Sequence, residues 1–328
     1  MHKIWLLRLV LPWPYGRLLT GFVLLIILLP FFYLGHTDDI ESTTPVLFYS
    51  LIIAYIIPIF SYITAKSQEA MLELRPLLGL EDLAFERAYE KLDSASFAVV
   101  ALQCVAGALL GLTHMSFIRG SALGTLTGAL ADRPGFVSTI GALTVWIVMT
   151  TVISMLVQQA IIFARLGAYH VKVRLLDTRK LLPFARVSIS ASLAIIGALA
   201  LFPLIGIESG MNLIEILPGA IATLVPLLVM FILPVWPIHR RLVRLREQQL
   251  ASINERIDSR LDAGDGSCPE SGVLEELAPL LGYRREITQV STWPFDGGNV
   301  TRLLFYMVIP PLTWAGAALI ENLVDWLL

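Results

Sequence analysis

Residues 18–34 read LLTGFVLLIILLPFFYL, and no charged side chain interrupts them. A helix rises about 1.5 Å per residue, so roughly 20 apolar residues cross the ~30 Å hydrocarbon core of a bilayer. Backbone N–H and C=O groups find no water there, and a helix satisfies them internally. The run is followed by Gly35-His36-Thr37-Asp38 and not by a small-residue cleavage site, so it reads as a retained anchor.

The rest of the chain repeats this pattern. Of its 328 residues, 56% are hydrophobic and 15% charged, and its mean hydropathy is +0.74. A soluble domain carries about 25% charged residues, so this apolar excess belongs in several spans. Seven segments have the required length: 18–35, 45–65, 95–114, 139–163, 188–206, 214–238 and 302–323. The expectation is an all-α, polytopic membrane protein. It has seven transmembrane helices in one domain over 1–328 and a cytoplasmic helical layer from 66–94 and 239–300.

Charge placement orients the expected bundle. With a cytoplasmic N-terminus, every one of the 24 Lys and Arg except Arg119 and Arg133 lies on the cytoplasmic side. Positive loops are retained in the cytoplasm during insertion, so the C-terminus is expected in the periplasm. The acids Asp38, Asp39, Glu41, Asp132, Glu208, Glu215, Glu321 and Asp325 then face outward. Such an acidic mouth concentrates cations. Glu215 and Glu321 are the candidates nearest the span ends, where an ionisable group is functional by default.

The segments between spans carry helical signals. Ile4 to Tyr15 mixes Trp5, Trp13 and Tyr15 with Arg8 and two prolines, and is expected to lie in the interface. Beyond Pro234 and Pro237, HRRLVRLREQQLASINERIDSRLD places Leu242, Leu245, Leu250, Ile253, Ile257 and Leu261 on one helical stripe. Gly, Ser, Pro and Asp in AGDGSCPESG mark a loop, and Val273 to Leu281 is a short helix candidate. Arg240, Arg241, Arg244 and Arg246 cluster just below the sixth span, where they are expected to meet anionic lipid headgroups or a cytoplasmic protein partner.

Several chemistries are excluded. No lysine lies within an expected span, so a retinal Schiff base is absent. His2, His36, His114, His170 and His239 sit at span ends or outside spans, which leaves no bis-histidine haem site. HExxH, GxSxG and GxxxxGK[ST] are missing. Cys104 and Cys268 cannot build a disulfide framework or a zinc site. No enzyme activity, metal or cofactor is expected. A net charge of −2 gives no footprint for nucleic acid.

The polar residues inside spans are therefore the candidates. Thr151, Ser154 and Gln158 recur at offsets of three and four on the fourth span, with Thr150 and Gln159 beside them. Such a stripe lines a polar path or supplies interhelical hydrogen bonds. Pro310 and Pro311 fall mid-span in the last helix and kink it. Trp146 and Trp314 lie roughly 10–13 Å below the outer surface, deep enough to form a constriction together. Gly107-Ala-Leu-Leu-Gly111 is a GxxxG that permits close helix approach, within the bundle or between protomers.

The stretch Tyr283 to Asp325, YRREITQVSTWPFDGGNVTRLLFYMVIPPLTWAGAALIENLVD, resembles the C-terminal signature of an uncharacterised family of bacterial inner-membrane proteins. PVWPIHRRL and its helical extension belong to the same resemblance. It covers the last third of the chain and implies a bacterial inner-membrane location, with no activity to carry over. Two functions are compatible with these readings. The one these readings favour is a homo-oligomeric pore or transport protein for small ions, with the polar face of the fourth span and the kinked last span as its lining. The other is a membrane-embedded sensory or interaction subunit that docks a cytoplasmic partner.

Overall fold

A computed structural model describes residues 2–35, 44–131, 133–201, 204, 213–262, 271–293 and positions 301, 305 and 308. The described chain is almost entirely helical. Among the described residues six helices are long and apolar enough to cross a membrane, which makes this a membrane protein. They correspond to the first six expected spans. The seventh, 302–323, falls outside the described residues apart from 305 and 308.

The core spans are α3 (Thr44–Leu74), α7 (Arg133–Arg165), α8 (Leu182–Leu199) and α9 (Leu213–Ile232). Ile52, Ile56, Phe60, Val152, Met155, Ile195 and Leu227 meet between them in one buried cluster. α2 (Gly16–Gly35) is peripheral: 11% of its apolar window is buried, against 67% for the span that contains α8. Leu18, Phe22 and Ile26 of α2 point outward, as a lipid-facing helix requires.

Helix ends follow local chemistry. α3 continues past the expected boundary at 65, because no breaker occurs before Pro76, where a 3-10 turn (Arg75–Leu77) ends it. α7 starts at Arg133, ahead of the expected 139, with Pro134 in its first turn, where a missing N–H costs nothing. α5 (Phe97–Ile118) is capped by Ser96, whose Oγ accepts from the Val99 N–H. α9 breaks at 233–235 before α10 (Trp236–Asp262) begins. Pro234 has no N–H for the Met230 carbonyl four residues earlier. The Ser188 hydroxyl of α8 serves that carbonyl at 3.2 Å and that of Phe231 at 2.6 Å.

α5 and α7 form a close pair. A Cβ on Gly107 would lie 2.7 Å from Ile147 Cα and 2.9 Å from the Trp146 carbonyl oxygen. Gly111 sits against Leu143 and Trp146 in the same way. The GxxxG contact is internal to the protein.

Two segments differ from expectation. The segment from Ile4 to Tyr15, expected in the interface, divides in two: Trp13 and Tyr15 of its second half are exposed, whereas its first half is buried in part. His2–Lys3 (β1) pairs antiparallel with Ser94–Ala95 (β2), and the Ile4 N–H donates to the Asp93 carbonyl at 3.1 Å. This tether inserts Ile4 and Leu6 of the segment leading through α1 (Trp5–Arg8) into the main core, where both are buried. The second is α6 (Ala122–Ala131), a helix too short to span, in a stretch expected to be an outer loop. Gly120, at φ 73°, turns the chain into it, and Arg119 Nη1 donates to the Thr125 carbonyl.

One end of the bundle carries a helical layer. α4 (Asp82–Glu90) lies there, as does a bridge between Leu78 and Val171. A π turn (Leu166–His170) and a 3-10 segment (Leu175–Leu181) complete it. Met71, Leu74, Phe85, Phe163 and Phe184 form its own apolar cluster, onto which α10 docks through Ile238 and Leu242. α11 (Ser271–Gln289) is longer than the expected 273–281 helix and returns along α10, with Ile253, Leu277 and Ile287 buried. Arg284 Nε donates to Asn254 Oδ1 across this hairpin at 2.8 Å.

Candidate functional site

The polar residues of α7 face a seam. Thr151 is fully buried and turns its hydroxyl onto the Ile147 carbonyl of its own helix, at 2.8 Å. Ser154 accepts from Gln103 Nε2 of α5 at 2.5 Å. Gln158 Nε2 donates to the Lys91 carbonyl at 2.8 Å. One residue on, Gln159 makes the densest contact of the group. Its Nε2 donates to the Leu92 carbonyl at 2.7 Å and to Thr64 Oγ1 at 3.2 Å, and its Oε1 accepts from Ser67 Oγ at 3.1 Å. These bonds tie α7 to α3, to α5 and to the turn after α4 at Lys91 and Leu92.

Thr64 and Ser67 were not anticipated. Their spacing of three on α3 was a usable signal, since it puts both on one helix face. The carbonyls of Lys91 and Leu92 carry no side-chain signal. Two buried polar atoms, Oε1 of Gln103 and Nε1 of Trp5, have no hydrogen-bond partner among the described residues.

Beside these polar residues the packing is aliphatic. Ile56, Ile63, Val152, Leu156 and Ile195 help enclose a void of about 20 Å³. A void with room for about one water and no polar partner stays dry. Trp146 lies in the α5–α7 seam and donates from Nε1 to His114 Nδ1 at 3.2 Å. Glu215 occupies the first turn of α9. Trp314, Pro310, Pro311 and Glu321 lie outside the described residues.

The four clustered arginines of α10 separate by face. Arg240 and Arg244 are exposed, and the Arg240 guanidinium sits 5.1 Å over the Trp236 ring. Arg241 turns inward and donates to the Gly167 carbonyl of the π turn at 3.2 Å. Arg246 buries its Nε without a hydrogen-bond partner among the described residues. A four-residue cluster on a helix of 3.6 residues per turn must divide in this way.

An aromatic stack fixes the base of the α10–α11 hairpin. The His239 and Trp293 rings lie 3.9 Å apart at 16°, and Trp236 closes on Trp293 at 6.3 Å. His239 Nδ1 also meets the Thr292 carbonyl at 3.1 Å. Trp293→Ala is expected to remove about 1 kcal/mol of ring packing. Hydrogen exchange in 240–290 should rise severalfold while the spans stay protected. Unchanged exchange there would show that the stack does not hold the hairpin.

Among the described residues no group of His, Cys, Asp and Glu is placed to hold a metal ion. Compared with known protein families, curated proteins and solved structures, the chain matches none.

Proposed function

We propose that the protein is a membrane-embedded docking subunit of the bacterial inner membrane. Its helical layer and N-terminus face the cytoplasm, its C-terminus faces the periplasm, and α10–α11 is the working surface. The observation that carries this reading is the construction of the hairpin. α10 is anchored at its first two turns by Ile238, Leu242, Arg241 and the His239–Trp293 stack. From Leu242 to Asp262 it then runs on for about 30 Å, at about 1.5 Å per residue. Leu261 near its end and Leu281 of α11 are exposed. A protein partner that packs on these leucines is the fitting occupant, with Arg240 and Arg244 meeting anionic headgroups at the base.

A homo-oligomeric ion pore stands second. It requires a polar path, whereas Thr151 bonds within α7, Ser154 bonds Gln103 of α5 and Gln158 bonds the Lys91 carbonyl, so all three spend their hydrogen bonds on protein.

The test is cross-linking and purification from native membranes, comparing the full chain with a Leu261→Glu, Leu281→Glu variant. A stoichiometric partner retained by the former and lost by the latter, at equal thermal stability, is the expected result. Ion flux in liposomes of the purified protein, with no partner retained, would overturn docking in favour of the pore.

A further inference from the structure

We infer that a second cationic site, separate from the α10 arginines, binds a phosphate group. It is a cleft of about 640 Å³ at the same end of the bundle, between the end of α3, residues 172–181 and the start of α8. That is the size of an ordinary small-ligand site. Lys172, Arg174, Arg179, Lys180 and Arg186 line it, against the two carboxylates Glu73 and Asp177.

Both carboxylates are already engaged. Glu73 Oε1 pairs with Arg186 at 2.7 Å, and Asp177 Oδ2 with Lys180 at 2.5 Å. Lys172, Arg174 and Arg179 make no ion pair among the described residues and are exposed to an incoming anion.

Retention of positive loops in the cytoplasm explains why bases occur in this stretch. It does not explain why separate elements turn them onto one concavity. Residues 171–174 are extended, held by the Leu78–Val171 bridge and by the Lys172 N–H on the Leu77 carbonyl at 2.9 Å. In an extended chain alternate residues share a side. Val171 and Val173 therefore pack on the apolar cluster, which leaves Lys172 and Arg174 together facing away. The 3-10 segment brings Arg179 and Lys180, and α8 brings Arg186.

Guanidinium and ammonium groups around one concavity suit a compact, multiply charged anion, and Arg fits phosphate oxygens bidentately. The other walls are apolar, from Leu77, Leu181, Leu182 and Pro183. Leu182 is also the first residue of α8, so the cleft opens beside a span. A phospholipid headgroup and a soluble phosphorylated compound share the chemistry required here. The cleft uses none of the α10–α11 surface, so this inference stands or falls apart from docking.

The test uses the full chain in nanodiscs of phosphatidylcholine with a minor share of phosphatidylglycerol. Retained lipid is read by native mass spectrometry, and pyrophosphate binding is read by calorimetry. Lys172→Gln, Arg174→Gln, Arg179→Gln should weaken binding about 100-fold, at about fivefold per cation. Arg87→Gln, Lys91→Gln, two exposed cations of the same layer outside the cleft, should leave it unchanged. Loss of phosphatidylglycerol alone identifies a headgroup site, and loss of pyrophosphate binding as well identifies a site open to soluble phosphates. Glu73→Gln removes a competing carboxylate and keeps every cation, so it should tighten binding even if the triple variant fails to fold. Equal binding by wild type and the triple variant, equal loss in the Arg87, Lys91 control, or weaker binding by Glu73→Gln overturns the inference.

Discussion

Gly107→Leu is expected to pry α5 off α7 and to cost more than about 3 kcal/mol. The atoms that a side chain at 107 meets are backbone: Ile147 Cα at 2.7 Å and the Trp146 oxygen at 2.9 Å from the Cβ position alone. Backbone cannot rotate away as a side chain can, so the helices must separate. Membrane helices hold together chiefly by van der Waals packing, with little hydrophobic drive between them. A gap of about 1 Å forfeits a quarter to a half of each contact's attraction along the seam. Overpacking in a dense interior already costs about 1–3 kcal/mol where side chains can adjust. Gly107→Ala should fall in that range. Gly282→Ala is the matched control, because a Cβ there meets nothing within 4 Å. In the interior of α11 it should stabilise by about 0.5–1 kcal/mol. Thermal unfolding in one detergent, followed by size exclusion, reads all three. A change of oligomeric state with stability intact would mean that this face packs between protomers instead.

Gln159→Leu is the second large effect, with an expected loss of about 3 kcal/mol. Leucine has similar bulk, so the cavity contribution is small and the polar loss stands out. Gln159 is 1% exposed and holds three hydrogen bonds, two to α3 and one to the Leu92 carbonyl. Each interhelical bond in a membrane protein contributes about 1 kcal/mol. Removing the amide also leaves the Leu92 carbonyl buried without its 2.7 Å donor. Ser154→Ala, which removes one partner of one bond, should cost about a third as much. Equal stability of Gln159→Leu and wild type would mean that the network carries no net stabilisation.

The spans were legible because a bilayer demands long apolar runs, and the first six runs emerge as helices at the expected places. Span ends were less legible. They depend on where a breaker falls, as at Pro76, and on compensation from elsewhere, as when Ser188 serves the carbonyl that Pro234 leaves open. α6 was hidden because ten small and apolar residues are too few to span and show no clear amphipathic face. The polar face of α7 was legible from the spacing of Thr151, Ser154 and Gln158. What the face touches was not, since Lys91 and Leu92 contribute carbonyls that every residue has. The phosphate cleft was missed for a related reason. Its cations fall within residues 172–186, but that they share one concavity depends on the Leu78–Val171 bridge and on the 3-10 segment leading into α8, which leave no mark in the sequence.

The small pairing of β1 with β2 also sets a timetable for synthesis. Lys3 is matched to Ser94, and the intervening chain holds the first two spans. A ribosome adds about 5–20 residues per second, so Lys3 waits roughly 5–18 s for its partner to emerge. During that interval Ile4 and Leu6 have no strand to hold them, and α7 and α8, which complete their core, are made later still. The pairing acts as a latch that closes only after the second span is in place. A mutation at Ser94 or Ala95 would then first be felt as a nascent chain whose leading segment stays open to proteases.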